Sequence, residues 1–437
     1  MKNDLLITNC LLLADAATQT PRAPSFIAIA DGHIVQTGAM ADCPLPDSGT
    51  VLDAAGQLAM PGLVNGHCHM PMTLLRGLAD DLDLHTWLHA HIFPAEARLV
   101  TPEMVYWCSQ LAAIEMLLSG TTTVADGYFY EDAVAQACIK VGLRCVAAQA
   151  VIDFPAPGVP EPSRNIEVAQ QFVEHWQGRH PLIRPAIFAH APYTCGNTTL
   201  RRAKELARSQ GVPLFIHVAE TAGEQALITE PQGPTPLAHL HNLGLLDRHT
   251  VCVHGVWLSE ADIDLLAASS ASLISCPQSN AKLASGRAPL PAMVERGVRL
   301  GVGTDGAASG NSLDLFREMG FAARLHKLPS GDATAMPART VLALATARGA
   351  EALGLATGLG TLQIGAPADI ILVDHRQPHL QPWHDASVLV YSDCGADVRT
   401  VIVHGQVVVQ DRGVLSVDVA EVLAQVQRLA REGGLMV

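Results

Sequence analysis

Phenylalanine, tyrosine and tryptophan together make up only 4% of the 437 residues, so the 49% that is hydrophobic is carried chiefly by Ala, Val and Leu. That bias suits a tightly layered α/β core and argues against an aromatic-rich binding surface. Positive charge is also scarce. A total of 28 Lys and Arg against 42 Asp and Glu leaves −14 at pH 7, which excludes the basic face that a nucleic acid or an anionic membrane requires. The acidic residues are scattered and serve solubility. Ten cysteines include no C-x-x-C pair, so neither a thiolate zinc site nor a disulfide framework is indicated, and free thiols in a reducing compartment are expected. No segment reaches the ~18 apolar residues of a membrane span. The N-terminal run Leu5-Leu6-Ile7 and Leu11-Leu12-Leu13 is broken by Asp4, Asn9 and Asp15, unlike a secretory signal. The expected location is the cytoplasm.

The length accommodates an enzyme core of about 200–250 residues plus a smaller module. Both ends read as short β pieces with turns between them: Leu5–Leu13, Ser25–Ala30, the Asp31-Gly32 turn, His33–Thr37 and Gly49–Leu52 at the start. At the far end come Ala368–Val373, Thr400–Val403, the His404-Gly405 turn and Gln406–Val409. A small β-sandwich domain built from both termini, residues 1–58 and 366–437, is the expectation. Between them, eight strand candidates alternate with helices: 62–65, 121–125, 144–150, 184–189, 213–216, 250–253, 272–275 and 299–303. Among the helices, Pro102–Leu118 opens with Thr101 as N-cap and Pro102 at the first helical position. This alternation points to a (β/α)8 TIM barrel over residues 59–365, although periodicity alone leaves a doubly wound sheet open.

Residue types that ligate metals follow directly on the strands. His67-Cys68-His69 comes after the first strand, His190 after the fourth, His217 with Glu220 after the fifth, His254 after the sixth and Asp305 after the eighth. In a barrel these positions gather at the C-terminal mouth, where active sites of this fold lie. A single histidine at a strand end is usually structural. In an H-x-H pair, both imidazoles lie on one side of an extended backbone and can reach one ion. Adding His217 and Asp305 gives three nitrogens and one oxygen, a set suited to zinc or iron.

The stretches Pro61-Gly62-Leu63-Val64-Asn65-Gly66-His67-Cys68-His69, Met72-Thr73-Leu74-Leu75-Arg76-Gly77 and Gly303-Thr304-Asp305-Gly306-Ala307-Ala308, with His217, Glu220 and His254, resemble the amidohydrolase superfamily. Within it the chain is similar to the 5'-methylthioadenosine/S-adenosylhomocysteine deaminase branch, with triazine hydrolases and guanine deaminases as near relatives. Several amidohydrolases hold two metals bridged by a carbamylated lysine at the end of the fourth strand. Here His190 stands there, and none of the five lysines (Lys2, Lys140, Lys204, Lys282, Lys327) falls at a strand end. One divalent metal on His67, His69, His217 and Asp305 is therefore expected, Zn2+ first and Fe2+ as the alternative.

The resemblance implies hydrolytic deamination of an adenine nucleoside: 5'-methylthioadenosine, adenosine or S-adenosylhomocysteine. Such a metal lowers the pKa of its water toward neutrality. Asp305 is expected to take a proton as water attacks C6, Glu220 to protonate N1 and then the leaving amine, and His254 to orient the attack. The bland alternative for Glu220 is a carboxylate stabilising a helix start. Glu96, in Phe93-Pro94-Ala95-Glu96, matches the family carboxylate that binds both ribose hydroxyls, with a solvated loop glutamate as its alternative. Trp87 is expected in the purine pocket, or else as simple packing. His190 matches a substrate-binding position, with a structural histidine as the alternative. His85, His89 and His91 sit near the mouth without an assigned role.

Relatives that process S-adenosylhomocysteine are expected to pair its carboxylate with arginines. Gln149 occupies one such position on the third strand, and Arg164 is the other candidate. An amide cannot form the bidentate pair of a guanidinium, so 5'-methylthioadenosine and adenosine are expected to be preferred. Guanine, another heterocycle or a triazine is the rival substrate, and Glu96 weighs against it because a free base has no diol. A non-catalytic scaffold would be free to lose ligands, yet this chain retains all four with Glu220 and His254. The partner is a small molecule, and a homo-oligomer is left open.

Overall fold

The computed structural model describes residues 4–15, 20–44 and 49–436. From the N-terminus come β1 (Leu5–Leu12), β2 (Arg22–Ala30), β3 (His33–Ala39), β4 (Thr50–Asp53) and β5 (Leu58–Pro61). Then follow β6 (Leu63–Cys68), β7 (Thr121–Tyr128), β8 (Arg144–Val151), β9 (Ile183–Ala189), β10 (Leu214–Val218), β11 (Thr250–His254), β12 (Ser272–Ser275) and β13 (Arg299–Val302). The chain ends with β14 (Ile370–Val373), β15 (Val398–Val403), β16 (Gln406–Gln410), β17 (Gly413–Val414) and a helix over Val419–Glu432.

Strands β6 to β13 are parallel and neighbour one another in sequence order, with helices between them, as the alternation predicts. Helix Pro102–Leu118 starts where expected, with the Thr101 hydroxyl accepting from the Met104 amide. The first and last strands of this sheet meet: the Asp305 amide donates to the His67 carbonyl (3.1 Å), and a Cβ on Gly303 would fall 2.6 Å from the His67 nitrogen. Only glycine permits that approach. The barrel interior is filled by Val64, Val146, Phe188, Phe215, Val253, Ile274 and their neighbours, so the barrel is a packed core and not a pore.

The terminal strands form one hydrogen-bonded sheet, in which β1 pairs with β2 on one side and with β4 and β5 on the other. Ile27, Ile29 and Ile34 from one wing join Ile370, Leu372 and Ile402 from the other in a single buried cluster. The layering expected of a sandwich therefore comes from one continuous sheet. β5 had no counterpart in the sequence reading; it pairs antiparallel with β14 and leads straight into β6. The last helix leaves the sheet and lies on the barrel, where Arg428 meets Glu103 and Arg98 donates to the Gly433 carbonyl (2.7 Å). All ten cysteines are free thiols. No helix among the described residues is long and apolar enough to cross a membrane.

Barrel and sheet are joined by a bidentate pair in which Arg144 of β8 donates to both oxygens of Asp369 (2.8 and 3.0 Å). Asp369 is buried and also accepts from the His404 amide (2.8 Å). Removing one partner of a buried pair strands the other's charge, at a cost of about 3–5 kcal/mol. Asp369→Ala is thus expected to lower the urea midpoint of unfolding markedly. A midpoint equal to that of the parent chain would show that the contact contributes nothing.

Candidate metal centre and substrate pocket

Five strand ends converge at the C-terminal mouth of the barrel. Asn65 ties the first to the last: its amide nitrogen donates to the Thr304 hydroxyl (2.8 Å) and its oxygen accepts from the Thr304 amide (3.1 Å). This holds Asp305 against the H-x-H pair. Asp305 Oδ1 lies 3.4 Å from both His67 Nε2 and His69 Nε2, and His67 Nε2 lies 3.2 Å from His217 Nε2. Tetrahedral zinc, with bonds of about 2.0–2.2 Å to N and O, keeps its donors roughly 3.3 Å apart. The four groups fit one divalent ion. Among the described residues, the donor atoms of His67, His69 and His217 lie within 4.8 Å of one another, as do those of His67, His254 and Asp305.

Two of these four groups, His69 and Asp305, are held by a second contact, as is the neighbouring His254. His69 Nδ1 donates to the Gly127 carbonyl (2.6 Å), which turns Nε2 toward Asp305. Asp305 Oδ2 accepts from the Ser279 and Ser309 hydroxyls (2.7 and 2.8 Å), leaving Oδ1 for the cluster. His254 Nδ1 donates to Asn280 Oδ1 (2.9 Å), leaving Nε2 as an acceptor. His254 and Asp305 both have left-handed backbones, with φ of 72° and 60°, a conformation that costs energy and concentrates at functional sites. Phe188 packs against His67, His69 and His217.

Burial sets the charge states. It lowers His67 to about 4 and His217 well below the usual histidine range, so both are neutral, the ligating form. For Asp305 burial works in the opposite sense, but hydrogen bonding and the surrounding imidazoles hold it well below the carboxylate range. Glu220 is pushed well above that range, first by burial and then by the charge of Asp305. Its carboxyl is 3.7 Å from His254 Nε2. Burial disfavours charge on both partners.

The pocket beside the cluster is lined by Glu220, His254, Trp87, Glu96, Tyr128, Phe129, Phe188, His190 and Tyr193, among others. Glu224 shapes the turn that presents Glu220 by accepting from the Ala219 and Glu220 amides (both 2.9 Å). Glu96 is buried at the pocket wall and accepts from the Tyr128 hydroxyl (2.6 Å); burial raises it to about 7 against the lowering effect of that bond. Trp87 begins a π-helical turn, Trp87–Ile92, a rare geometry common at functional sites. Its buried indole N–H has no hydrogen-bond partner among the described residues. His190 lies beside the cluster, bonded to Thr194 (2.9 Å).

Two expectations fail. Gln149 does not face the pocket: its side chain accepts from the Glu131 amide (3.3 Å), and the pocket-lining residue is Ala150. Arg164 is exposed and paired with Glu167 (3.0 Å). The preference for 5'-methylthioadenosine over S-adenosylhomocysteine thus loses the ground that Gln149 gave it. His85, His89 and His91 lie on the exposed side of the π turn. The sequence reading missed Ser279, Asn280, Ser309, Glu224 and Tyr128. The first two sit in Cys276-Pro277-Gln278-Ser279-Asn280 after the seventh barrel strand, and a Ser-Asn pair at a strand end was the available signal.

The amidohydrolase family matches residues 58–408. Over 430 residues the chain is 44% identical to a 5-methylthioadenosine/S-adenosylhomocysteine deaminase of Syntrophobacter fumaroxidans, covering 98% of each. It is 43% identical over 431 residues to a 5'-deoxyadenosine deaminase of Methanosarcina mazei, again covering 98% of each. Among solved structures, an adenosine deaminase of Xanthomonas campestris with bound zinc aligns at a TM-score of 0.95 and 36% identity, covering 99% of both chains.

No lysine among the described residues lines the pocket, so nothing there can bridge a second metal as a carbamate. Elemental analysis of the purified protein is expected to find about one divalent metal per chain, and His217→Ala to lose most of it, as a four-ligand site requires. Two equivalents per chain would refute the single-metal site.

Proposed function

Since the chain belongs to the amidohydrolase family, we propose that it is a metal-dependent aminohydrolase that converts adenine nucleosides and water to the hypoxanthine nucleosides and ammonia. The carrying observation is the pairing of a three-imidazole, one-carboxylate cluster with a buried Glu220 and a buried Glu96 in one pocket. The barrel, which we take as residues 59–365, supplies the site, and segments 1–58 and 366–437 form the flanking β domain.

His67, His69, His217 and Asp305 are the residues to hold the metal, which we take to be zinc. A divalent cation bound there supplies the Lewis acidity that brings the pKa of water toward neutrality. Glu220, protonated at neutral pH, hands its proton to N1 of the purine, which makes C6 electrophilic. Asp305 takes a proton from the attacking water, and His254, its tautomer fixed by Asn280, accepts a hydrogen bond that aligns the attack. Glu220, left as a carboxylate, takes the proton of the C6 hydroxyl as the carbonyl forms and passes it to the departing amine; the proton held by Asp305 then restores Glu220, so one water is consumed and one ammonia released. Glu96 accepts both ribose hydroxyls, while Trp87 and His190 line the purine and ribose cavity. A guanine or triazine substrate would leave Glu96 buried without its diol.

Glu220→Gln is expected to keep the metal and the KM for adenosine while kcat falls by at least ~10²-fold, the lower range for general acid–base catalysis. A variant that turns over at the parent rate would refute the role.

The acidity of Glu96 gives a second outcome. The ionised carboxylate is the better diol acceptor, and its pKa is about 7. Protonation therefore weakens binding as pH falls through that value, and KM for adenosine should rise below it. The 2',3'-dideoxy analogue, which has no diol, should show no such rise. Parallel pH profiles of KM for the two compounds would refute the assignment.

A further inference from the structure

Two buried carboxyl groups take no part in the mechanism above and do not line the substrate pocket. Asp126 stands near the end of β7, and Glu131 opens the helix Glu131–Val141; both are buried. Among the described residues, Asp126 Oδ2 and both Glu131 oxygens meet no N–H or hydroxyl donor. The two side chains are hydrogen-bonded to each other instead. Two carboxylates cannot make that bond, because an ionised carboxyl only accepts; one of the pair carries a proton and donates it. Burial, and then the charge of Asp126, pushes Glu131 well above the usual carboxylate range, so Glu131 is the donor. We propose that Asp126 and Glu131 are a hydrogen-bonded acid pair that positions His69: Glu131 holds the Asp126 carboxyl on the Met70 amide and so fixes the chain where it leaves β6. The proposal rests on the metal-centre reading above.

The register of the barrel shows why such a device is needed. β6 and β7 pair as far as Cys68 and Asp126, so His69 and Met70 lie beyond the ladder. Successive residues of β7 take up their polar groups. The Asp126 carboxyl accepts from the Met70 amide, and the Gly127 carbonyl accepts from His69 Nδ1 (2.6 Å). Met70 opens a 3-10 turn, Met70–Leu75, which the side chain of His69 before it does not cap. Asp126 thereby satisfies an amide that a helix start leaves without a partner. β7 supplies none of the four ligands, yet it fixes both the backbone and the imidazole of one of them.

Glu131 is itself held. Its amide donates to Gln149 Oε1 (3.3 Å), which gives a task to the side chain that turned away from the pocket. Tyr130 before it has a left-handed backbone, with φ of 55°, a conformation kept only where the surroundings enforce it. The neighbours are free thiols, Cys145 near Glu131 and Cys138 at 3.9 Å from Met70 Sδ. Among the described residues no Lys or Arg forms an ion pair with either carboxyl. In such surroundings a satisfied hydrogen bond is strong and a broken one expensive.

The test is the affinity of the purified protein for Zn2+, measured by competition with a chelator, with amide hydrogen exchange at Met70 followed alongside. Asp126→Ala is expected to weaken zinc binding about 10–100-fold, the usual loss when a residue that orients a ligand is removed, and to speed exchange at Met70. With the metal site saturated, KM for adenosine should keep the parent value, because the Tyr128–Glu96 bond is untouched. Glu131→Gln keeps a donor toward Asp126 and should bind zinc as the parent does. Glu131→Ala removes that donor and should lose affinity as Asp126→Ala does. Asp369→Ala, which destabilises the chain elsewhere, should leave zinc affinity unchanged. Parent-like affinity in either alanine variant of the pair, or equal losses in Glu131→Gln and Glu131→Ala, overturns the proposal. An equal loss in Asp369→Ala overturns it too, since the effect would then follow stability alone. Should Asp126→Ala fail to fold, the two Glu131 variants decide. A parent chain that holds no divalent metal overturns the metal-centre reading, and the role of the pair with it.

Discussion

At the seam where β6 meets β13, the Gly303 backbone lies so close to that of His67 that no side chain fits between them. Asn65 and Thr304 lock this approach with two reciprocal hydrogen bonds. Residues far apart in the chain are thereby placed within ligand–ligand distance of one another. An alanine at position 303 would push the strands apart and carry Asp305 away from the two histidines. The metal-binding geometry is thus a consequence of barrel closure, and Asn65 and Thr304 belong to the site as much as the ligands do.

Around that seam, burial is the first influence on charge. Imidazoles that burial disfavours from charging, an Asp305 held acidic and a Glu220 pushed toward its protonated form stand within a few ångströms because each has its own compensation or lack of it. Asp305 keeps its charge through the hydrogen bond from His67 and the imidazoles of His69 and His254 around it. Glu220 is given no cation and keeps its proton. Two carboxyls of similar intrinsic acidity take opposite roles because their surroundings differ.

The barrel was legible in the sequence because apolar runs alternate with helical stretches and several of those runs end at a residue type that ligates metals. Those two signals coincide at His67, His217, His254 and Asp305. Gln149 shows where such reading stops. In a strand, neighbouring residues face opposite sides, so an error of one position moved the inferred contact from the pocket, where Ala150 lies, into the barrel wall. Ser279 and Asn280 escaped for another reason: they orient other side chains, and that work exists only once β12 stands beside β11 and β13.

The composite sheet pairs β5 with β14, strands at opposite ends of the chain. During synthesis the edge of β5 therefore has no partner until the ribosome has delivered residue 370. At 5–20 residues per second that interval is roughly 15–60 s. For that time the nascent protein carries an open strand edge beside a growing barrel, the kind of template on which chains pair wrongly. Protection of that edge, by a chaperone or by the ribosome surface, is a demand that the topology places on the cell that makes this protein.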